Sequence, residues 1–307
     1  MRITKLIESH FWFVLLAGII LGLWAPVEIN APPVVPKLLL GMMLFTAFMK
    51  IDALDIIESL KNFRLISWIT FVYMLAIPLV FYFVTLLFDR EFAIAMLLLT
   101  AMPAGVATPV LTDIAKGNIP LSMSLAIVTQ LAAPFTVPLL FWILDIDSIN
   151  INKLMILRDI AILVFVPMIV SQIIKRLLPR TIERSQKFFT SFNVLILFSF
   201  VYIVISSQKE LILGNPAGVV WKLVALYLVF ILLHIIGYFI CPRQSRKSRI
   251  TVAIGSAYMN NGLAIVLAVS YFSPSVLVLM VLSEFPWNTL LGPFVKVMER
   301  IGRPNQK

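Results

Sequence analysis

The chain has 307 residues, of which 61% are hydrophobic and only 13% are charged, and its mean hydropathy is +1.00. This composition excludes a soluble domain of ordinary surface and indicates a polytopic membrane protein. The net charge of +10 does not indicate nucleic-acid binding, because most of the 25 lysines and arginines fall in connections on one side of the predicted membrane topology. The single cysteine, Cys241, excludes an internal disulfide and a cysteine-based metal cluster.

Ten apolar stretches are candidate membrane spans, several of them short enough to be tilted or partly irregular. In chain order they run approximately over His10 to Pro26, Val35 to Phe48, Leu65 to Phe88, Glu91 to Lys116, Pro120 to Leu144, Arg158 to Ile174, Phe188 to Ser206, Gly218 to Ile240, Ile250 to Phe272 and Pro274 to Val297. We expect the first to be a retained span, because no small-residue cleavage pattern follows it. An even number of spans and the distribution of basic residues predict that both termini are cytosolic in a multi-pass protein of the plasma membrane.

The fourth span is interrupted near its middle by Pro103 and Gly105, which disfavour a continuous helix. Thr108 followed by Pro109 has the pattern of an N-cap and a first helical residue, which predicts that a second half-helix begins there. The sequence therefore predicts a broken membrane helix.

A second interruption lies in the ninth span, where Asn260, Asn261 and Gly262 sit near the centre of an apolar run. Unpaired amides at mid-depth in a bilayer cost several kcal/mol each, so these side chains need partners. They either bond to neighbouring helices as packing contacts or mark a break at which one of them caps a second half-helix. The two breaks lie about half the chain length apart, which is typical of binding sites in transporters built from paired repeats.

The polar stretch around Asp147 is the best boundary within a single polytopic membrane unit of residues 1–307. Five spans on each side give the halves opposite orientations, so we predict inverted repeats over residues 1–149 and 150–307. The landmarks match between halves: spans five and ten open at Pro120 and Pro274, and Gln130 and Glu284 follow about ten residues later, near the bilayer midplane.

Glu284 is the one carboxylate that we place at mid-depth. It is predicted to bind a cation, to relay a proton, or to form hydrogen bonds in its neutral form, and the sequence does not choose among these. The half-helices that begin near Thr108 and Asn261 favour negative charge at their N-termini, whereas the carbonyls near Met102 and Ala257 favour a cation. Such a site suits an organic anion that moves together with a cation, and Ser122 and Gln130 in span five are candidate polar ligands.

An enzyme is not expected, because no metal-ligand pair, paired membrane aspartates or Ser-His set is present in the sequence. A channel stays open as an alternative, although repeated filter residues are absent.

The segments MPAGVATPVLTDIAKGNIPLSMSL in spans four and five and YMNNGLAIVLA in span nine resemble the bile acid:sodium symporter family. The resemblance extends over essentially the whole chain in span count and repeat layout. It implies an all-α fold of ten transmembrane helices in two inverted five-helix repeats. Two crossed broken helices would lie in a core domain, and spans one, two, six and seven would form a smaller panel domain that rocks against it to give alternating access. The implied substrates are organic anions, either bile acids or small carboxylates.

Some sodium ligands that the resemblance implies are replaced in this chain. Thr108 and Pro109 stand where the family has Ser-Asn, and Ser122 matches a hydroxyl ligand. Other ligand positions hold residues that supply no matching oxygen or differ from the family residue, namely Tyr73, Ala126, Gly255 and Met259. Asn260 is retained at a position associated with substrate.

We therefore predict a secondary transporter for a small organic anion, coupled to sodium or another cation. The candidate substrate-binding residues are Asn260, Asn261, Thr108 and Pro109. The candidate cation-binding residues are Glu284, Ser122, Gln130, Thr108 and Met259. No cofactor is expected besides a coupling sodium ion. The alternatives are an arsenite- or auxin-type exporter and an uncoupled facilitator or channel.

Overall fold

The computed structural model describes residues 11–25, 32, 34–51, 63–144 and 153–301. Within these ranges the secondary structure is helical, apart from one isolated antiparallel bridge between Ala104 and Met259. The helices are α1 (Phe11–Trp24), α2 (Val34–Phe48), α3 (Phe63–Leu86), α4 (Arg90–Thr100), α5 (Thr108–Ile114), α6 (Ile119–Ile143), α7 (Lys153–Leu177), α8 (Pro179–Ser207), α9 (Lys209–Gly214), α10 (Pro216–Phe239), α11 (Arg246–Ala257), α12 (Asn261–Tyr271), α13 (Pro274–Leu282), α14 (Glu284–Thr289) and α15 (Leu291–Ile301).

Five of the described helices are long and apolar enough to cross a membrane: α3, α6, α7, α8 and α10. A sixth span results if α13 and α14 are taken together with α15, to which they are bent by 41°. Large apolar side chains on these helices, such as Phe135 and Trp221, are exposed and suit a lipid environment. This is the architecture of an all-helical, multi-pass membrane protein.

Side-chain caps fix where several helices begin, because a short polar side chain satisfies a peptide N–H that the helix leaves unpaired. Asp89 accepts a hydrogen bond from the Phe92 nitrogen at 2.6 Å and starts α4. Further side-chain caps come from Asn118 on α6, Asn215 on α10, Ser245 on α11, Asn260 on α12 and Ser273 on α13. Each cap is a polar residue directly before the first residue of its helix.

The interrupted helices occupy the interior of the protein. In α4 every residue from Ala93 to Thr100 is buried, and α11 and α12 are buried over most of their length. Around them, α1 packs on α8, α2 packs on α7 and α8, and α10 packs on α11. The two breaks are therefore held away from the lipid.

Both predicted breaks are confirmed, because helix ends at Thr100 and resumes at Thr108, and it ends at Ala257 and resumes at Asn261. The prediction that Thr108 is an N-cap was wrong by one position. Ala107 precedes the helix, Pro109 is its second residue, and the Thr108 hydroxyl donates to the Gly105 carbonyl at 2.8 Å. The hydroxyl thus closes a turn instead of accepting from the next helix. The predicted boundary between residues 149 and 150 lies outside the described residues.

Candidate functional site

The two breaks lie against each other through main-chain hydrogen bonds. The Gly105 nitrogen donates to the Tyr258 carbonyl at 2.7 Å, and the Asn260 nitrogen donates to the Pro103 carbonyl at 2.8 Å. The backbones approach so closely that a Cβ on Gly105 would lie 2.8 Å from the Tyr258 oxygen, which explains the glycine. Each interruption therefore satisfies peptide groups that the other leaves open.

Protein side chains occupy three other carbonyls at this junction. The Tyr73 hydroxyl donates to the Met102 carbonyl at 2.6 Å, Gln130 Nε2 donates to the Ala104 carbonyl at 3.2 Å, and Trp287 Nε1 donates to the Met259 carbonyl at 3.0 Å. The carbonyls near Met102 were predicted to favour a cation, and the Met102 carbonyl accepts a hydrogen bond from a buried phenol.

Asn260 has one amide atom in use and one atom without a partner. Its Oδ1 accepts from the Leu263 nitrogen at 3.1 Å, and this cap fixes which way the amide points. Its Nδ2 is buried and has no partner among the described residues. Asn260 therefore presents an unused hydrogen-bond donor at the N-terminus of α12.

A second group of polar side chains, here called the Glu284 cluster, consists of Asn261, Ser283, Glu284 and Asn288. Asn261 Nδ2 donates to Ser283 Oγ at 2.9 Å, and Ser283 Oγ donates to the Met280 carbonyl at 2.6 Å. Asn288 Nδ2 donates to the Glu284 carboxyl oxygen Oε2 at 3.1 Å and to the Glu284 carbonyl at 2.7 Å. All four side chains are buried.

These contacts fix both amides so that their oxygens are left over. Within the described chain, Asn261 Oδ1 and Asn288 Oδ1 have no hydrogen-bond partner. The Glu284 cluster therefore combines a carboxyl group with two unused amide oxygens, a set in which every available ligand is an oxygen atom. Hard cations such as sodium and calcium are bound by oxygen sets of this kind.

The other residues predicted to bind a cation lie outside the Glu284 cluster. Gln130 lies at the junction, and its Oε1 has no partner among the described residues. Ser122 Oγ accepts from Thr112 Oγ1 at 2.9 Å, and no hydrogen bond between described residues joins it to Glu284. Met259 contributes main-chain atoms to the junction, and its thioether is a soft ligand that does not suit sodium. The structure thus brings Asn260, Met259 and Gln130 to the junction and leaves Ser122 in a separate pair.

A model of the SBF-like CPA transporter family matches residues 9–286 of the chain. The chain belongs to this family. The resemblance to the bile acid:sodium symporter family is thereby confirmed. The chain is also 27% identical over 190 residues to the "Uncharacterized sodium-dependent transporter YocS" of Bacillus subtilis strain 168. That alignment covers 60% of this chain and 57% of the relative.

Several residues that shape the site were not predicted from the sequence. Trp287 ties α14 to the junction, and Thr129 accepts from the Ala104 nitrogen at 3.0 Å. Tyr73 was noted only as a lost ligand. It lies in a π-helical turn, Val72–Ala76, within α3, and such turns frequently occur at functional sites. The sequence signal for Trp287 was its spacing of three residues from Glu284, which places both on neighbouring turns of helix.

Proposed function

We propose that this transporter moves a small organic anion together with a cation, most simply sodium, by alternating access across the plasma membrane. It would do so with ten spans arranged as two inverted repeats of five, over residues 1–149 and 150–307. Both termini would be cytosolic. The smaller panel would consist of α1, α2, α7 and α8.

One observation carries the proposal: of two adjacent asparagine side chains, one has a hydrogen-bond donor without a partner and the other has an acceptor without a partner. Asn260 leaves a donor nitrogen, whereas Asn261 leaves an acceptor oxygen. A donor at a helix N-terminus suits an anionic group, because the helix dipole and the unpaired N–H groups attract negative charge. An acceptor beside a carboxyl group suits a cation. Two ligands of opposite charge would then bind on consecutive residues, which is a direct way to couple their binding.

The substrate would contact Asn260 and the residues that open α5, Thr108 and Pro109. Thr108 is fixed through Gly105, whose own nitrogen bonds to Tyr258 in the other break. A change in either break would therefore alter the geometry of both. A small carboxylate fits the one unused donor of Asn260 better than a large uncharged solute does.

The cation would be held by Glu284, Asn261 and Asn288, with Gln130 Oε1 as a further oxygen at the junction. The Glu284 carboxylate would balance the charge of one sodium ion, which offsets the cost of burying either charge alone. A proton on Glu284 is the competing occupant. It would neutralise the carboxyl group, but its single O–H would pair with at most one of the unused amide oxygens of Asn261 and Asn288, so sodium is favoured.

The test is uptake into proteoliposomes that contain the purified protein. A thermal-shift screen of small carboxylates and conjugated bile acids in detergent would first select the anion. Its uptake would then be measured with sodium and pH gradients imposed separately. We expect uptake above equilibrium with an inward sodium gradient, and its loss in Glu284→Gln but not in Glu299→Gln, which changes a half-exposed carboxylate paired with Lys116. Uptake that follows only the pH gradient would assign the proton as the coupling ion. Uptake that never exceeds equilibrium would contradict coupled transport.

A further inference from the structure

We infer that Asp159 and Tyr271 are positioning residues that hold the far end of α12 against α2 and α7, and that their hydrogen bond must break for one of the two access paths to open. This inference rests on the proposed function, because it assigns the contact to the closed side of an alternating-access cycle. Asp159 and Tyr271 are far from the junction of the breaks and belong to neither predicted ligand set.

Asp159 gathers donors from three helices. It is 8% exposed, and its Oδ2 accepts from the Tyr271 hydroxyl at 2.7 Å. The Lys37 ammonium group of α2 pairs with the same oxygen, and Arg158 Nη2 donates to Oδ1 at 3.3 Å. Lys37 also lies 5.8 Å from the centre of the Tyr271 ring. The end of α12 is thereby tied to α2 and α7 at one buried carboxylate.

The Tyr271 bond crosses a boundary between two groups of helices. α2 and α7 pack on each other, α2 also packs on α8, and α8 packs on α1, while α7 in addition packs on α6. α12 instead packs mainly on α13. A second contact crosses the same boundary at the start of α12, where a Cβ on Gly262 would lie 3.0 Å from Leu40 Cδ1. Contacts therefore hold α12 against the neighbouring helices at both of its ends, through Tyr271 at one end and Gly262 at the other.

The hydrogen bond between Tyr271 and Asp159 can break without leaving a buried charge unpaired. When Tyr271 leaves, Asp159 keeps the charged partners Lys37 and Arg158, so no uncompensated charge is left behind. The departing group is a neutral phenol, which water can solvate at little cost. A bond between two charged groups from opposite sides of the boundary would resist opening far more strongly.

α12 connects this contact to the proposed ligand sites. The helix has 11 residues, which corresponds to about 16 Å, and it runs from Asn261 in the Glu284 cluster to Tyr271. A short helix moves as one body, so a shift of its Tyr271 end changes the position of Asn261. The effect is reciprocal: if cation binding at Asn261 biases the contact, the contact must bias cation binding equally.

The experiment measures the labelling rate of one reporter cysteine. In a Cys241→Ser background, which removes the single native thiol, Leu40→Cys places a buried reporter on the boundary beside Gly262. A membrane-impermeant maleimide is added to whole cells and, separately, to inverted vesicles. The test variant is Tyr271→Phe, which removes only the hydroxyl. The matched control is Tyr202→Phe, which removes a phenol bonded to the Ala25 carbonyl at 2.9 Å between α8 and α1.

We expect Tyr271→Phe to raise the labelling rate at least fivefold from one side of the membrane only, and Tyr202→Phe to leave the rate unchanged from both sides. Asp159→Asn, which keeps the side-chain shape, should raise the rate on the same side. Unchanged labelling in Tyr271→Phe, or an increase from both sides, would overturn the inference.

A sodium titration separates this inference from the proposed function. Sodium should change the labelling rate of the reporter when Glu284 is intact and should have no effect in Glu284→Gln. If sodium has no effect in either background while Tyr271→Phe still accelerates labelling from one side, cation coupling fails and the positioning role of Tyr271 stands. If sodium acts as expected while Tyr271→Phe changes nothing, the coupling stands and the positioning role fails.

Discussion

The peptide nitrogen of Asn260 donates to the carbonyl oxygen of Pro103 across 2.8 Å, joining breaks that lie in opposite halves of the chain. Each break alone would leave peptide groups unpaired in a region without water, at a cost of several kcal/mol per group. Together they pair with each other and with Tyr73, Gln130 and Trp287. The two breaks therefore stabilise each other, and a substitution in one break should destabilise the other.

Gly105→Ala tests how tightly the two breaks pack. The added Cβ would lie 2.8 Å from the Tyr258 carbonyl oxygen, a main-chain atom that cannot move away easily. We expect the substitution to cost about 2 kcal/mol of stability and to lower the apparent unfolding temperature in detergent. Gly41→Ala is the matched control, because nothing lies within 4 Å of its added Cβ. As Gly41 lies inside α2, the control should be neutral or stabilise by up to about 1 kcal/mol.

Tyr73→Phe tests whether the Met102 carbonyl depends on the phenol. Removal of the hydroxyl leaves a buried carbonyl oxygen without its 2.6 Å donor, which should cost about 1 to 3 kcal/mol. The measurement is again the apparent unfolding temperature, with Tyr202→Phe as the control for loss of a phenol elsewhere. An equal and small change in both variants would show that the Met102 carbonyl does not need Tyr73.

Asn260 Oδ1 caps α12, whereas Asn260 Nδ2 is the proposed contact with the anion. Two substitutions separate these two roles. Asn260→Asp keeps an oxygen that can cap α12 but replaces the unused donor with a negative charge. We expect near-normal stability and a loss of anion uptake, because the carboxylate repels the substrate. Asn260→Ala removes the cap as well and should cost a further amount of about 1 kcal/mol. Uptake that survives in Asn260→Asp would exclude this amide from the anion site.

Asn288→Ala removes one amide oxygen from the Glu284 cluster, together with the hydrogen bonds from Asn288 Nδ2 to the Glu284 carboxyl group and to the Glu284 main-chain carbonyl. We expect the sodium concentration for half-maximal stabilisation to rise about tenfold, which corresponds to about 1.4 kcal/mol. Asn193→Ala is the control. Asn193 accepts from the Thr46 hydroxyl at 2.6 Å between α2 and α8, outside the proposed sites. A similar sodium response in both variants would remove Asn288 from the cation site.

The breaks were predictable because they leave strong local signals. Proline, glycine and paired asparagines within apolar runs disfavour continuous helix in any surrounding. A cap by Asn260 or Asn261 was predicted from their short amides, and the cap is Asn260. The cap assigned to Thr108 was wrong by one residue because the Thr108 hydroxyl donates to the Gly105 carbonyl, a contact that depends on the fold of the turn.

The partners of the site were less predictable because they come from remote helices. Nothing near Tyr73 in the sequence indicates that its hydroxyl reaches Met102, and Trp287 meets Met259 only because α14 folds back onto the junction. Nor does the sequence indicate that the side-chain oxygens of Asn261 and Asn288 lack a hydrogen-bond donor, because this depends on the positions of all neighbouring groups. Contacts such as Tyr271 with Asp159 join residues far apart in the chain, and one sequence alone does not reveal them.

Equilibrium binding of radioactive sodium to the purified protein in detergent tests the central claim most directly. Wild type, Glu284→Gln and Glu299→Gln would be compared at constant ionic strength, with potassium or choline replacing sodium. We expect saturable sodium binding in wild type and Glu299→Gln, and a loss of that binding in Glu284→Gln. Equal sodium binding in all three proteins, or none in wild type, would contradict a coupling-cation site at Glu284.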